Sequence, residues 1–280
     1  MNKAKQFKEL VQRKKAFLLP VVHDALTAKI AEKVGFEAVA VGGFATSGVT
    51  YGLPDVGLLG LTDMISANKH IISGTSLPVF VDCDDGYGNE RNITKTVEEY
   101  EKVGAASIFI EDQKHPKRCG HMEGKEIIST EEMCNKITAA IGARSSEDFL
   151  ICARTDARAL HGLDEAIERA KAYTNAGADI IFIEAPQSRE ELEIIPKRLP
   201  KVTLLVNMLD GGKTPICSKN ELEKWGYKII AYPVTTLFAE VYAVTNALKH
   251  LKEKGDTRGL SDSLVDFEEY KKLVEVDKYL

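Results

Sequence analysis

Two short stretches bring carboxylates together where they can do chemistry. VFVDCDDGYG carries Asp82, Asp84 and Asp85, and SIFIED carries Glu111 and Asp112. Both acid groups close a run of apolar, strand-forming residues. Carboxylates crowded together repel, and they hold their protons unless a cation joins them. Mg²⁺ takes oxygen ligands, keeps several waters and uses only one or two carboxylates directly. Asp82, Asp84 and Glu111 therefore read as a site for a hard divalent cation. An isolated DxDxG would read as a solvated turn; the second acid pair at the next strand end favours the ion. Arg154, in ICARTDA, follows another apolar run. A guanidinium there either clamps a carboxylate or phosphate at two points or pairs internally with Glu184 or Asp156. Gly42-Gly43 leaves backbone N–H groups open to an anion.

The third chemical stretch is EDQKHPKRCGHMEGK, Glu111 to Lys125. It follows an acid-ended strand directly, so it hangs over the same site. Gly120 and Gly124 permit the backbone angles a moving lid needs. Lys117 and Arg118 beside Cys119 predict a stabilised thiolate, with His121 as its proton partner. A zinc site is disfavoured, since only Cys119, His115 and His121 are at hand without spaced partners.

Such residues work together only if the chain brings them to one place. Four segments share a pattern: EKVGFEAVAV, EKVGAASIFI, TNAGADIIFI and EKWGYKIIAY. In each, a polar helix end meets a glycine suited to the left-handed C-terminal position, and a short buried strand follows. FLLPVV, PVFVD, FLICAR and TLLVN supply four more strands, for eight starting near Phe17, Ala38, Pro78, Ser107, Phe149, Asp179, Thr203 and Lys228. Helical patterns separate them: DALTAKIAEKVG, LTDMISANKHII, TKTVEEYEKVG, STEEMCNKITAAIG, LDEAIERAKAYTNAG, REELEIIPKRL and KNELEKWG. The alternation predicts an α/β fold, a (β/α)8 TIM-type barrel over residues 1–250, with a C-terminal helical extension over 251–280. Strand count alone also allows an open doubly wound sheet, although no Gly-x-Gly-x-x-Gly follows the first strand. In a barrel the strand C-terminal ends form one mouth. There they would gather Gly42-Gly43, Asp82 to Asp85, Glu111-Asp112, Arg154 to Asp156, Glu184 and Asn207. The extension reads either as a cap on the barrel or as a subunit-contact arm.

Composition narrows the class. The 280 residues are 44% hydrophobic and 28% charged, with a formal net charge of −5. That acidic balance argues against a nucleic-acid partner, and no apolar run is long enough to span a membrane. The five cysteines are scattered without a CxxC pair, a pattern of reduced thiols in a cytoplasmic protein.

The motifs also carry a resemblance. KRCGH (Lys117 to His121) after IEDQ, with GLPD (Gly52 to Asp55), VDCDDGYGN, ARTDA, IEAP and NMLDGGKTP, resembles the carbon–carbon lyases of the isocitrate lyase and phosphoenolpyruvate mutase superfamily. The resemblance spans nearly the whole chain. It implies a barrel whose last helix swaps between subunits, in a homotetramer. It implies Mg²⁺, with Mn²⁺ as a substitute, held directly by Asp84, with Asp55, Asp82 and Glu111 around its waters. It implies substrate contacts at Gly43, Arg154, Glu184 and Asn207, and a gating-loop thiol at Cys119. Three positions depart from the pattern: Ala40 where lyases often carry tyrosine, Gly42 where serine or threonine is common, and Asp85 where threonine or an apolar residue is usual. The implied reaction is cleavage of the C2–C3 bond of a 2-hydroxy di- or tricarboxylate. The NMLDGGKTP stretch looks more like the alkylmalate lyases, which points to a 2,3-dialkylmalate such as 2,3-dimethylmalate, giving pyruvate and propionate. The alternatives, in order, are 2-methylisocitrate (pyruvate and succinate), oxaloacetate decarboxylation or phosphonate P–C cleavage, and a barrel without turnover.

Overall fold

The computed structural model describes residues 2–280. Its frame is eight parallel strands: β1 (Phe17–Pro20), β2 (Val39–Val41), β3 (Val79–Asp82), β4 (Ser107–Glu111), β5 (Leu150–Thr155), β6 (Ile180–Ile183), β7 (Leu204–Asn207) and β8 (Ile229–Tyr232). The hydrogen-bonded order runs β1-β8-β7-β6-β5-β4-β3-β2. The ends meet where Val21 bridges Ala40 and the Val22 N–H donates to the Ala40 carbonyl at 2.8 Å. The result is a nearly closed TIM-type barrel with helices between the strands, and the open sheet is excluded.

Strand alternation explains the two apolar layers. Side chains at every second position fill the barrel interior, including Leu19, Phe80, Phe109, Phe182 and Leu205. The intervening residues, such as Val81, Ile110, Ile151 and Val206, pack outward against the helices. Two-residue periodicity also sets the mouth. Asp82, Glu111, Arg154, Glu184 and Asn207 each lie two residues beyond an inward-facing residue (Phe80, Phe109, Cys152, Phe182 and Leu205), so the pleat turns them toward the axis. Asp112, one residue out of phase, turns outward to Arg169 and Tyr173.

The bottom of the barrel is plugged by an N-terminal helix, Lys3–Gln12, whose buried Phe7 enters the core. Phe7 stacks on Phe80 at 5.6 Å, Phe80 on Phe109 at 5.5 Å, and Phe109 meets Phe182 edge-on at 6.1 Å. This aromatic column runs up the axis, each ring contributing about 1.5–3 kcal/mol by burial. Its top, Phe182, supports the Arg154 guanidinium at 5.4 Å.

The helices start where their caps say they should. Ser129 and Ser188 accept N–H bonds from Glu132 and Glu191, and Ser218 with Glu221 forms a reciprocal capping box. One helix begins earlier than its apolar pattern suggests: Asn89 caps Glu90–Lys102, ahead of Thr94. The longest helix, Thr235–Lys254, spans a segment to which sequence pattern assigns no element. None of its residues is fully buried: Leu237 packs on the barrel-interior cluster and Phe238 lines the mouth, but beyond this first turn Val241, Tyr242, Val244, Leu248 and Leu251 are exposed and make no stripe facing a core of this chain. We place the junction of the two proposed units, 1–250 and 251–280, on its last turn. Beyond it lie a 3₁₀ turn, the helix Phe267–Leu273 and a second 3₁₀ turn. Among the described residues no helix is long and apolar enough to cross a membrane.

Candidate active site

One half of the mouth is built by the loops after β2 and β3. Asp82 ends β3, and its carboxylate is fixed by two backbone donors, Gly43 N–H at 2.9 Å and Asp84 N–H at 2.9 Å. Asp84 is held in the left-handed region, φ 49°, a conformation that costs a non-glycine residue energy and recurs at functional turns. A Cβ on Gly43 would lie 2.9 Å from Asp84 Oδ1, so only glycine allows this approach. Asp55 completes the group: the Lys117 ammonium bonds the Asp55 carboxylate and lies 2.6 Å from Asp84 Oδ1. Burial, together with Asp82 and Asp55, pushes the Asp84 carboxyl up to about 7 against the pull of Lys117. Burial likewise raises Glu111, and its Oε1 is buried without a hydrogen-bond partner.

Among the described residues no three His, Cys, Asp or Glu side chains converge closely enough to form an all-protein cage. The orphaned Glu111 oxygen and the crowded, proton-holding Asp84 instead fit an ion bound through one carboxylate and a shell of water, the habit of Mg²⁺. The Lys117 ammonium is the cation present among them here.

The other half is centred on Arg154. Its Nη1 lies 3.1 Å from Glu111, its Nε is 3.0 Å from Asp156 and 3.3 Å from Glu184, and its Nη2 donates to Asp156 Oδ1 at 3.2 Å. Burial is the largest influence and acts to raise Asp156 and Glu184, but it is outweighed by Arg154 together with Lys125 at Asp156 and with His121 at Glu184. Both stay below the ordinary carboxylate range. The sequence alternatives for Arg154, internal pairing with Glu184 or with Asp156, are thus realised together.

The segment Asp112 to Ile128 is closed over both halves. Its base is a short antiparallel ladder, with Lys114 N–H donating to Glu126 O at 2.8 Å and Ile128 N–H to Asp112 O at 2.9 Å. Gly120 lies against the guanidinium, since a Cβ there would fall 2.2 Å from Arg154 Nη2. His121 accepts the Lys213 N–H at Nδ1 (3.1 Å), which leaves its proton on Nε2, 3.1 Å from Glu184 Oε1.

The expected Cys119 thiolate is corrected by this geometry. Lys117 points away into Asp55 and Asp84, and Arg118 turns outward to the Glu123 carbonyl at 3.1 Å. Burial then dominates and pushes the thiol up, only partly opposed by the His121 backbone N–H and by Arg154. Cys119 remains a thiol at neutral pH. The His121 ring is likewise directed to Glu184, and its backbone rather than its ring serves Cys119.

A cavity of about 260 Å³ lies under the flap. Cys119, His121, Arg154, Glu184, Asn207, Asp55, Asp82 and Lys117 line it, while Asp84, in contact with Lys117, and Glu111 are not among the lining residues. Gly43 lies at its edge through Asp82. Of the three departures, Ala40 and Gly42 line the cavity. A Cβ on Gly42 would meet only Val21, at 3.6 Å, so the larger residue usual there would fit. Asp85 faces away: its carboxylate accepts Tyr87 N–H at 2.9 Å and lies 3.5 Å from His115. Sequence reasoning did not single out Lys117 as a cation for Asp55 and Asp84, nor Lys125, which bonds Asp156 at 2.8 Å. Lysines on a loop read as solvated until the fold shows where they point.

A family model described as phosphoenolpyruvate phosphomutase matches residues 7–252. The chain belongs to that family. It is therefore an enzyme of a lyase and mutase superfamily. It is 45% identical over 278 residues to the 2,3-dimethylmalate lyase of Eubacterium barkeri, covering 99% of this chain and 96% of the relative. It is 42% identical over 272 residues to a 2-methylisocitrate lyase of Aeropyrum pernix, covering 97% and 87%. Its fold matches the crystal structure of a phosphonopyruvate hydrolase complexed with oxalate and Mg²⁺, with TM-score 0.90 and 28% identity, covering all of this chain and 97% of the other.

Proposed function

We propose that the enzyme cleaves the C2–C3 bond of a 2,3-dialkylmalate, with 2,3-dimethylmalate giving pyruvate and propionate. The observation that carries this reading is the polarity of the cavity wall. Besides the acids and Arg154 its lining is largely apolar and includes Leu19, Val21, Phe44, Pro233, Val234 and Phe238. The buried lining cations are already engaged, Lys117 with Asp55 and Asp84 and Arg154 with Glu111, Asp156 and Glu184, while Arg118 turns outward to the Glu123 carbonyl. Two carboxylates and two alkyl groups match such a site. A third carboxylate would be buried without a partner, at a cost of several kcal/mol.

Asp84 would hold Mg²⁺ directly, with Asp55, Asp82 and Glu111 through water, and Mn²⁺ as a substitute. When bound, the ion supplies Lewis-acid stabilisation of the charge developing on the C2 hydroxyl oxygen. The chain's own residues do the rest. The hydroxyl proton departs, the C2–C3 electron pair moves onto C3 and its carboxylate, and C2 becomes the ketone carbon of pyruvate. Arg154, fixed by Asp156 and Glu184, stabilises the enediolate-like carboxylate. Gly43 orients Asp82, while Glu184 and Asn207 line the substrate's other side. Cys119, kept protonated by burial, gives its proton to C3 to form propionate. The proton taken from the hydroxyl passes to a basic group of the site and, after product release, replaces the one Cys119 gave up, so the reaction neither gains nor loses a proton. The closed flap excludes water from the carbanionic step.

The exposed apolar residues of the helix Thr235–Lys254, Tyr242 at 74% and Leu248 at 60% exposure, support a helix-swapped homotetramer. Five free cysteines support a cytoplasmic location. A coupled assay for pyruvate with Mg²⁺, run on 2,3-dimethylmalate, 2-methylisocitrate, isocitrate and oxaloacetate, tests the activity. The highest kcat/KM is expected for 2,3-dimethylmalate, with no turnover after chelation. A higher value for 2-methylisocitrate would assign the enzyme to that tricarboxylate, and pyruvate from none of the four would overturn the reading.

A further inference from the structure

Lys125 is the flap residue whose place is hardest to explain as surface chemistry. It is 7% exposed, and its ammonium donates to Asp156 Oδ1 at 2.8 Å and to the carbonyl of Gly120. A buried ammonium is costly unless its partners are charged and well placed. Both partners here belong to the catalytic apparatus. Gly120 follows Cys119 and rests on the guanidinium of Arg154. Asp156 receives Nε and Nη2 of Arg154, at 3.0 and 3.2 Å, on the two oxygens of the carboxylate that also takes Lys125. Lys125 itself is not among the residues lining the cavity.

The other ties of the flap serve different ends. Gln113 brackets Arg118 through both its amide groups, at 2.8 and 2.9 Å, and so shapes the flap internally. Arg169 donates to Asp112 and to the Ile128 carbonyl and pins the two ends of the hinge. Lys117 reaches the Asp55–Asp84 side. Lys125 alone among these ties the turn that carries the thiol to the acid that orients the guanidinium.

We propose that Lys125 is a positioning residue that registers the Cys119 thiol over Arg154, by bridging the Gly120 carbonyl to Asp156. Closing the flap and completing the hold on Arg154 are then one event, because both use the same carboxylate. The effect on turnover rests on the lyase reading above; the registration of the flap does not.

The test uses the full-length chain with Mg²⁺ present and compares Lys125→Met and Lys125→Arg with the parent. Turnover is followed by pyruvate release from 2,3-dimethylmalate, and flap closure by the rate of Cys119 alkylation with iodoacetamide, read by peptide mass mapping. Displacing a reacting group by about 1 Å costs on the order of 10²-fold in rate. Lys125→Met is therefore expected to lose about that factor in kcat with KM nearly held, and to alkylate faster at Cys119. Lys125→Arg recovers part of both. A purely structural role would lower the melting temperature while leaving kcat per folded enzyme and the alkylation rate unchanged, and that pattern would overturn the proposal. If Lys125→Met does not fold, Lys125→Gln, which retains a donor for Gly120 without the charge, takes its place in the same assays. If no tested substrate yields pyruvate, the alkylation comparison decides by itself, so failure of the lyase reading and failure of this proposal are separable.

Discussion

On the β2–β3 side of the mouth, Asp55, Asp82 and Asp84 face a single cation, the Lys117 ammonium carried by the flap. On the β5–β6 side, Asp156 and Glu184 surround the Arg154 guanidinium, which is anchored in a strand. Both halves are buried and acidic, yet burial and crowding raise Asp84 while Arg154 holds Asp156 and Glu184 low. Glu111 lies between them, paired to Arg154 through one oxygen and unpartnered at the other. The difference teaches which half is finished. A permanent cation makes the Arg154 side part of the folded structure. The Asp84 side lacks such a cation in the barrel, and one from outside the barrel must balance it: an ion, the flap lysine, or each in turn.

Three substitutions sharpen that contrast. The largest effect is expected at Cys119, on the flap that spans the two halves. Cys119→Ala should lower kcat by about 10²–10⁴-fold, the usual worth of a general acid, with substrate binding kept. Steady-state kinetics checks this, and near-normal turnover would remove the thiol from the reaction. Next comes Arg154→Met, which strands Glu111, Asp156 and Glu184 in a buried site. It should lower unfolding free energy by about 3–5 kcal/mol, measured in denaturant, as when one partner of a buried pair is lost. Unchanged stability would show that the Arg154 side is no more structural than its neighbour. The smallest effect on stability is expected for Asp84→Asn. Relieved of repulsion from Asp82 and Asp55, the metal-free protein should melt no lower than the parent. The variant should, however, lose the Mg²⁺-induced stabilisation, about 2.7 kcal/mol at a hundredfold excess over Kd. A fall of several degrees without Mg²⁺ would place Asp84 among the structural acids.

Much of this arrangement was legible in the chain. The eight strand starts read from the sequence lie within one residue of the observed ones, because glycine C-caps and short apolar runs are local signals. The polar residues ending those strands were legible for the same reason. What escaped was the direction of long charged side chains. Lys117 and Arg118 are adjacent, yet one enters the acid cluster and the other turns to solvent, so proximity in sequence predicted the wrong state for Cys119. The helix Thr235–Lys254 escaped because, beyond Leu237 and Phe238 in its first turn, its large apolar residues are exposed and no core of this chain orders them into a stripe.

The sequence by itself determined the alternation of strands and helices and that polar residues end the strands at one mouth. Local backbone preference and hydrophobic periodicity suffice for that. Asp112, read into that mouth, turns outward in the fold. Only the tertiary structure decided which charge answers which. Ring closure sets Asp55, Asp84 and Lys117 against one another from distant parts of the chain. Burial there makes each pairing strong enough to choose between thiol and thiolate, and between a carboxylate that keeps its proton and one that gives it up.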